Sequence, residues 1–298
     1  MTPITAKTGL ILEGGAMRGM YTAGVCDVLM EQNITFDGCI GVSAGATFGC
    51  NFKSRQIGRT IRYNTKYSRD PRYASFRSLL LTGNYFGTKF CYDEIPNRLD
   101  PFDYETYQSN PMPFYIVCTD ADTGEALYQR ADTCDARDLT YMRASASMPL
   151  FSRIVEVDGY HLSDGGTADS IPLVWFREQG YARNLIVLTR PEGYRKSPSS
   201  PVMNALLRLS QRNYPALAKA LEQRHIGYSA RWMKLRRQNR PVMFWYCVRH
   251  VICISDASKK IPTSCGKCTI SDVRMPKRSL RRSAHLSQNP MFNVTHII

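Results

Sequence analysis

The chain is expected to fold as a three-layer α/β/α domain with a mostly parallel central sheet, and three observations carry that expectation. Short apolar runs alternate with segments of helical periodicity, opening as βαβα over residues 9–52. Leu10-Ile11-Leu12, Ile116-Val117-Cys118 and Leu185-Ile186-Val187-Leu188 are apolar at successive positions, so both faces of each strand are covered, as in parallel sheets between helices. Glycine-rich turns follow the first two strands, at the C-terminal ends where such sheets carry their reactive groups.

Each element has its own signal. Gly9–Leu12 is a short strand, and Tyr21, Val25, Val28 and Leu29 recur at helical spacing within a helix over about 18–31. A second strand covers 36–41, a second helix 44–52, and helical stretches continue through 55–67. Residues 70–112 interrupt the alternation with Tyr73, Phe76, Tyr85, Phe86, Phe90 and Tyr92 among Pro96, Pro101 and Pro111, a composition that suits packed surface loops or the wall of a ligand site. Phe114–Asp120 is a buried strand, and Ala126–Tyr128 is its hairpin partner across Asp122-Thr123-Gly124. Ala136–Ser147 is a small-residue helix ended by Pro149, Ile171–Gly180 another helix, and Leu185–Thr189 another strand. The basic helix 216–238 carries Leu217, Leu221, Tyr228, Trp232 and Leu235 near one face; that stripe suits docking on the domain, or an anionic lipid surface through Arg231, Lys234, Arg236 and Arg237.

Three motifs carry chemistry. Gly41-Val42-Ser43-Ala44-Gly45 has the form of a nucleophile elbow: a tight strand-to-helix turn exposes a serine hydroxyl, and its crowded backbone needs near-bare positions at Gly41 and Gly45. The helix that follows directs N–H groups toward developing negative charge, Ala44 first. By itself the pentapeptide is equally a glycine/alanine turn. Glu13-Gly14-Gly15-Ala16-Met17-Arg18-Gly19 joins a strand to a helix with a loop able to aim several amides at one point. It lacks the central glycine of a dinucleotide loop and the Lys-Ser/Thr of a triphosphate loop, which leaves an oxyanion hole as its better use, beside a plain packing turn. Asp164-Gly165-Gly166 alone is ordinary turn chemistry.

Taken together and in this order, the three motifs resemble those of the patatin-like phospholipase family. The resemblance implies a serine acyl hydrolase that cleaves phospholipid or lysophospholipid carboxylic esters through an acyl-enzyme. Ser43 would be the nucleophile and Asp164 its partner in a two-residue dyad; Gly14, Gly15, Ala16, Met17 and Ala44 would supply the oxyanion hole. Arg18, Gly19, Gly41, Gly45, Gly165 and Gly166 match supporting positions of the motifs. No metal or organic cofactor is implied. Two departures stand out: Ala16 replaces the third consecutive glycine of the family's loop, costing on the order of 1 kcal/mol if its φ is positive, and Glu13 stands where Asp is commoner.

A Ser-His-Asp triad is not expected. His161, three residues before Asp164, lies on a short strand where the two side chains point to opposite faces, so a surface or supporting role suits it. His225, His250, His285 and His296 lie in basic, motif-free stretches. Cys265-Gly266-Lys267-Cys268 has half of a zinc spacing, but Cys247 and Cys253 are too poorly placed to complete it.

Composition bounds the rest. At 298 residues and 43% hydrophobic, the chain can bury one large core. It has no ~18-residue apolar run and no leader-like N-terminus, and its 10 cysteines form no disulfide framework, so a soluble cytoplasmic protein is expected. The net charge of +14 is concentrated late: residues 231–298 hold 14 Lys/Arg against 2 Asp/Glu. We therefore expect a hydrolase domain over 1–245 and a basic tail over 246–298 without an assigned fold. Periodicity stops part-way through the strand entered at 241–246, which a shift of reading frame explains better than a basic extension touching membrane or nucleic acid. A lipid or other acyl ester is the expected partner, with peripheral contact to anionic membrane and no nucleic acid; a catalytically idle lipid-binding protein using the basic C-terminal region is the competing function.

Overall fold

The computed structural model describes residues 7–191, 194–237 and 244–248. Strand β1 (Thr8–Leu12) leads through a 3-10 turn at Ala16–Arg18 into α1 (Gly19–Glu31), then β2 (Gly38–Val42) and α2 (Ala44–Lys53), so the expected βαβα opening is present. The helix α3 (Arg59–Tyr67) starts later than expected, because Arg55 and Gly58 take positive φ and turn the chain first. The 70–112 region holds α4 (Phe76–Thr82), a wide π-type helix at Phe90–Leu99 around Pro96, and α5 (Tyr104–Ser109). There follow β3 (Phe114–Asp120), β4 (Ala126–Arg130), α6 (Ala136–Ser145), β5 (Val155–Val157), β6 (Tyr160–Asp164), α7 (Leu173–Glu178), β7 (Arg183–Leu188), α8 (Pro201–Ser210), α9 (Pro215–Arg237) and β8 (Phe244–Val248). The expected boundary at 245/246 falls within β8, and the expected basic tail beyond Val248 lies outside the described residues, as do the stretches around His250, His285, His296 and Cys265–Cys268.

The sheet runs β5-β6-β3-β2-β1-β7-β8, with β4 also on β3. From β3 through β8 neighbouring strands are parallel; β4 and β6 run against β3. Burial follows the pleat. Leu10 and Leu12 pack under α1, α2 and α6, whereas Ile11 joins Ile40, Val42 and Ile186 under α7 and α9, and all of these are fully covered. Two apolar layers on opposite faces, each roofed by helices, give the expected three-layer α/β/α architecture. Leu217, Leu221 and Tyr228 of the α9 stripe are buried, while the side chains of Trp232, Lys234, Leu235, Arg236 and Arg237 lie outside what the structure describes. Arg231, weighed above as a lipid contact, turns inward to an ion pair with Asp169 at 2.7 Å. Among the described residues no helix is long and apolar enough to cross a membrane.

One detail of pairing brings two of the sequence motifs together. β4 occupies one edge of β3 from Tyr115 to Thr119. On the opposite edge β2 accompanies Phe114–Val117, and β6 then takes over at Cys118–Asp120. Val42 faces Val117 and Asp164 faces Cys118, so β2 ends and β6 arrives, from the opposite direction, at consecutive residues of β3. Ser43 follows Val42 directly; the two motifs 121 positions apart in sequence meet at this changeover.

Candidate active site

Ser43 sits between β2 and α2 with φ 54° and ψ −121°, a conformation L-residues rarely adopt. Such strain costs on the order of 1–3 kcal/mol and persists where the surroundings enforce it. They do so sterically: a methyl group on Gly41 would lie 2.4 Å from the Gly45 carbonyl oxygen, and one on Gly45 would lie 2.2 Å from the Leu12 carbonyl oxygen. Hydrogen bonds complete the restraint. The Ser43 N–H donates to Ser145 Oγ at 2.8 Å, and Ser145 Oγ donates onward to the Val117 carbonyl at 2.6 Å. That carbonyl lies where β3 exchanges β2 for β6, a point at which a ladder partner is lost and a buried oxygen needs another donor. Ser145 also accepts the Gly165 N–H on its own carbonyl at 3.2 Å.

Asp164 ends β6 and is 3% exposed. Its Oδ1 accepts the Gly166 N–H at 2.9 Å, and its backbone carbonyl accepts Thr119 Oγ1–H at 2.8 Å. A methyl on Gly166 would sit 3.0 Å from Asp164 Oδ1 and 3.8 Å from Val42 Cγ1, which locates the carboxylate at the end of β2. Gly165 threads under Val117: an added methyl would lie 2.0 Å from the Val117 carbonyl oxygen. No direct Ser43–Asp164 hydrogen bond is present among the described residues; catalytic contacts of this kind commonly tighten with substrate.

The glycine loop closes the other side. A methyl on Gly14 would meet Ser43 Cβ at 2.8 Å, so the loop lies against the elbow, and Gly19 packs equally closely on Ala44 and Phe48. Ala16 has φ +48°, the strained value anticipated for a residue in the third glycine's place. The loop is tied to β7 by Glu13, a role its sequence position did not disclose. Its buried carboxylate accepts the Thr189 N–H at 2.6 Å, and Thr189 Oγ1–H reaches the Gly14 carbonyl at 2.7 Å. Burial raises the Glu13 pKa, opposed by those donors and by the Tyr228 hydroxyl. Burial, and then Arg190, lowers the Arg18 pKa to about 10.

An apolar pocket includes Ser43, Ala16 and Ala44 in its lining together with Met17, Phe48, Tyr63, Tyr73, Phe86 and Tyr92. The 70–112 region therefore contributes a wall of this pocket. His161 is on the surface, its Nδ1 2.7 Å from Asp122, on the face of β6 opposite to Asp164, and makes no contact with Ser43. Among the described residues no cluster of ligating side chains is arranged for a metal.

The patatin-like phospholipase family model matches residues 10–174, more than half of the chain and all three motifs. The chain belongs to the patatin-like phospholipase family. Its relatives include the uncharacterized protein YjjU of Escherichia coli (strain K12), 27% identical over 61% of this chain and 51% of that one. An uncharacterized NTE family protein of Mycobacterium tuberculosis (strain ATCC 25618 / H37Rv) is 24% identical over 56% of this chain and 44% of its own length. The chain thus spans about half the length of the curated relatives it matches. The solved structure of VipD from Legionella pneumophila matches 68% of this chain and 52% of that one at 13% identity and a TM-score of 0.37, too distant to add to the topology above.

Proposed function

We propose that the protein is a serine acyl hydrolase that cleaves lipid carboxylic esters through a Ser43–Asp164 dyad. The observation that carries this reading is the changeover on β3, which sets a strained serine at the end of one strand beside a buried carboxylate at the end of another. Ser43 Oγ attacks the ester carbon while Asp164 takes its proton; the alcohol leaves with that proton, and water, activated by Asp164, releases the acid from the acyl-serine. The oxyanion is held by amides of the glycine loop and of Ala44, the first residue of α2, whose N–H has no acceptor within its helix. Neither Gly14 nor Gly15 uses its N–H in a hydrogen bond among the described residues, so both are free for this role. The apolar pocket beside Ser43 receives the acyl chain. The family is typically one of lipid ester hydrolases, which agrees with this chemistry. Hydrolysis of short esters, phospholipids and lysophospholipids by wild type, Ser43→Ala and Asp164→Asn tests it. Loss of turnover in both variants, with folding retained, is the expected result; a fully active Ser43→Ala protein refutes it.

A further inference from the structure

The short helix α4 buries none of its residues, and its Phe76, Leu80 and Leu81 are 62%, 87% and 71% exposed. A helix this short and this uncovered has to be held from its ends. Ser75 Oγ accepts the Ser78 N–H at 3.1 Å, and Gly83 closes the helix in the left-handed region with its N–H on the Leu79 carbonyl at 2.8 Å. An antiparallel bridge between Ala74 and Phe86 fastens the base of the excursion. Caps and backbone hydrogen bonds thus present three large apolar side chains together to solvent, a grouping that marks an interaction surface.

An aromatic layer joins this face to the apolar pocket. The Phe76 and Phe86 rings each stand edge-on to Tyr85 at 5.4 Å, and Phe86 belongs to the lining that includes Ser43. Tyr85 also meets the Phe151 ring at 6.1 Å and donates its N–H to the Phe151 carbonyl at 2.8 Å. Phe151 is itself 38% exposed, while Met148 and Ser152 on either side of it line the pocket. The charge around the layer has one sign. From Pro71 to Tyr92 the sequence holds Arg72, Arg77 and Lys89 and no acid, and from Ala144 to Val155 it holds Arg153 alone. Arg72 is paired with Asp70 and Glu94; Arg77, Lys89 and Arg153 are exposed and form no ion pair among the described residues. Arg153 packs against the Gly83 cap of α4.

Apolar tips ringed by unpaired cations match the boundary of an anionic bilayer: the leucine and phenylalanine side chains enter the acyl region while guanidinium and ammonium groups meet the head groups. Continuity with the pocket points the same way, because the face and the pocket lining share one aromatic layer. We propose that Phe76, Leu80, Leu81 and Phe151, with Arg77, Lys89 and Arg153 around them, form the surface on which the protein docks to an anionic lipid bilayer. Docking itself requires no turnover; that it brings bilayer esters to Ser43 rests on the hydrolase reading above. The surface is separate from α9, whose Arg231 is engaged with Asp169.

The test is flotation of the full chain, carrying Ser43→Ala so that no lipid is consumed, with vesicles of phosphatidylcholine or of an equimolar mixture with phosphatidylglycerol. We expect the chain to bind the mixed vesicles, and Leu80→Ser/Leu81→Ser to lower the partition coefficient about tenfold or more. Both substitutions fall on exposed positions and change no charge, so melting temperature and net charge stay as they were. Ile226→Ser, at an exposed apolar position of α9, should bind like its parent. Binding that survives Leu80→Ser/Leu81→Ser, or that falls equally with Ile226→Ser, overturns the proposal. So does a parent that sediments as a dimer and a double variant that is monomeric, which assigns the face to a second copy of the chain. Arg77→Gln/Arg153→Gln should narrow the preference for the mixed vesicles; an undiminished preference overturns the choice of an anionic surface. With Ser43 restored, Leu80→Ser/Leu81→Ser should slow hydrolysis of vesicle phospholipid and leave a soluble short ester near wild type. A matching loss on the soluble ester assigns these residues to the active site and overturns the docking role. Vesicle binding with the expected pattern but no ester turnover at all supports the surface and refutes the hydrolase reading instead.

Discussion

Ser145 offers a direct probe of how the elbow is held. Its hydroxyl is the sole link between the Ser43 N–H and the Val117 carbonyl, both at the buried changeover on β3. Ser145→Ala removes donor and acceptor at once and leaves both backbone groups without partners; at roughly 1–3 kcal/mol for each unsatisfied group, and some relaxation, the loss should be about 2–4 kcal/mol. For a chain of this size that lowers Tm by roughly 3–8 °C. The catalytic effect should exceed the loss of folded protein, since the strained φ of Ser43 is no longer enforced: well below the melting range kcat should fall about tenfold or more, with KM for a soluble ester little changed. Differential scanning calorimetry and steady-state kinetics on the same samples measure both. A variant with wild-type Tm and kcat refutes the assignment of Ser145 as the residue that positions Ser43. So does one whose activity loss is wholly explained by unfolding.

Other positions give sharper single readouts. Gly165→Ala should prevent stable folding, because its methyl would lie 2.0 Å from a backbone oxygen that cannot move without breaking β3; soluble, cooperatively melting protein would contradict this. Ala16→Gly should stabilise the fold by up to about 1 kcal/mol by relieving φ +48°, read as a higher urea midpoint at unchanged m-value. His161→Ala should leave ester turnover near wild type. Because Asp122 raises the His161 pKa in the folded state, any stability that the pair contributes is fully present below the unfolded value of about 6.5 and is lost as pH rises through the raised one. Thermal melts from pH 5 to 9 should therefore show the gap between wild type and variant closing toward alkaline pH; a gap that widens there contradicts the assigned pair.

The sequence exposed those parts of the fold whose signals are local. β1, β2, β3 and β7 are apolar at successive positions because both faces are covered, and the glycines of the three motifs mark close backbone approaches that Gly41, Gly45 and Gly165 make in the structure. Helix ends were blurred by residues at positive φ such as Arg55, whose turn no propensity announces. α8 has a capping Ser200 and an opening Pro201, but its apolar residues ring the helix: Leu207 is buried while Val202, Leu206 and Leu209 are exposed, so no one-sided stripe marks it in the sequence. Long-range effects were less legible. That β6 follows β2 along the same edge of β3 depends on register between segments 121 residues apart, and Ser145 gains its role from that register alone. Likewise, Glu13 stood out as an unusual acid before a glycine loop, but its tie to Thr189 spans 176 positions.

The claim that Ser43 forms an acyl-enzyme is tested most directly by mass spectrometry of the protein after brief reaction with a fluorophosphonate, which labels only a serine activated for attack. We predict a single adduct on the peptide containing Ser43, strong suppression in Asp164→Asn, and no adduct in Ser43→Ala. An adduct at another residue, or ester turnover that survives Ser43→Ala, would contradict the account.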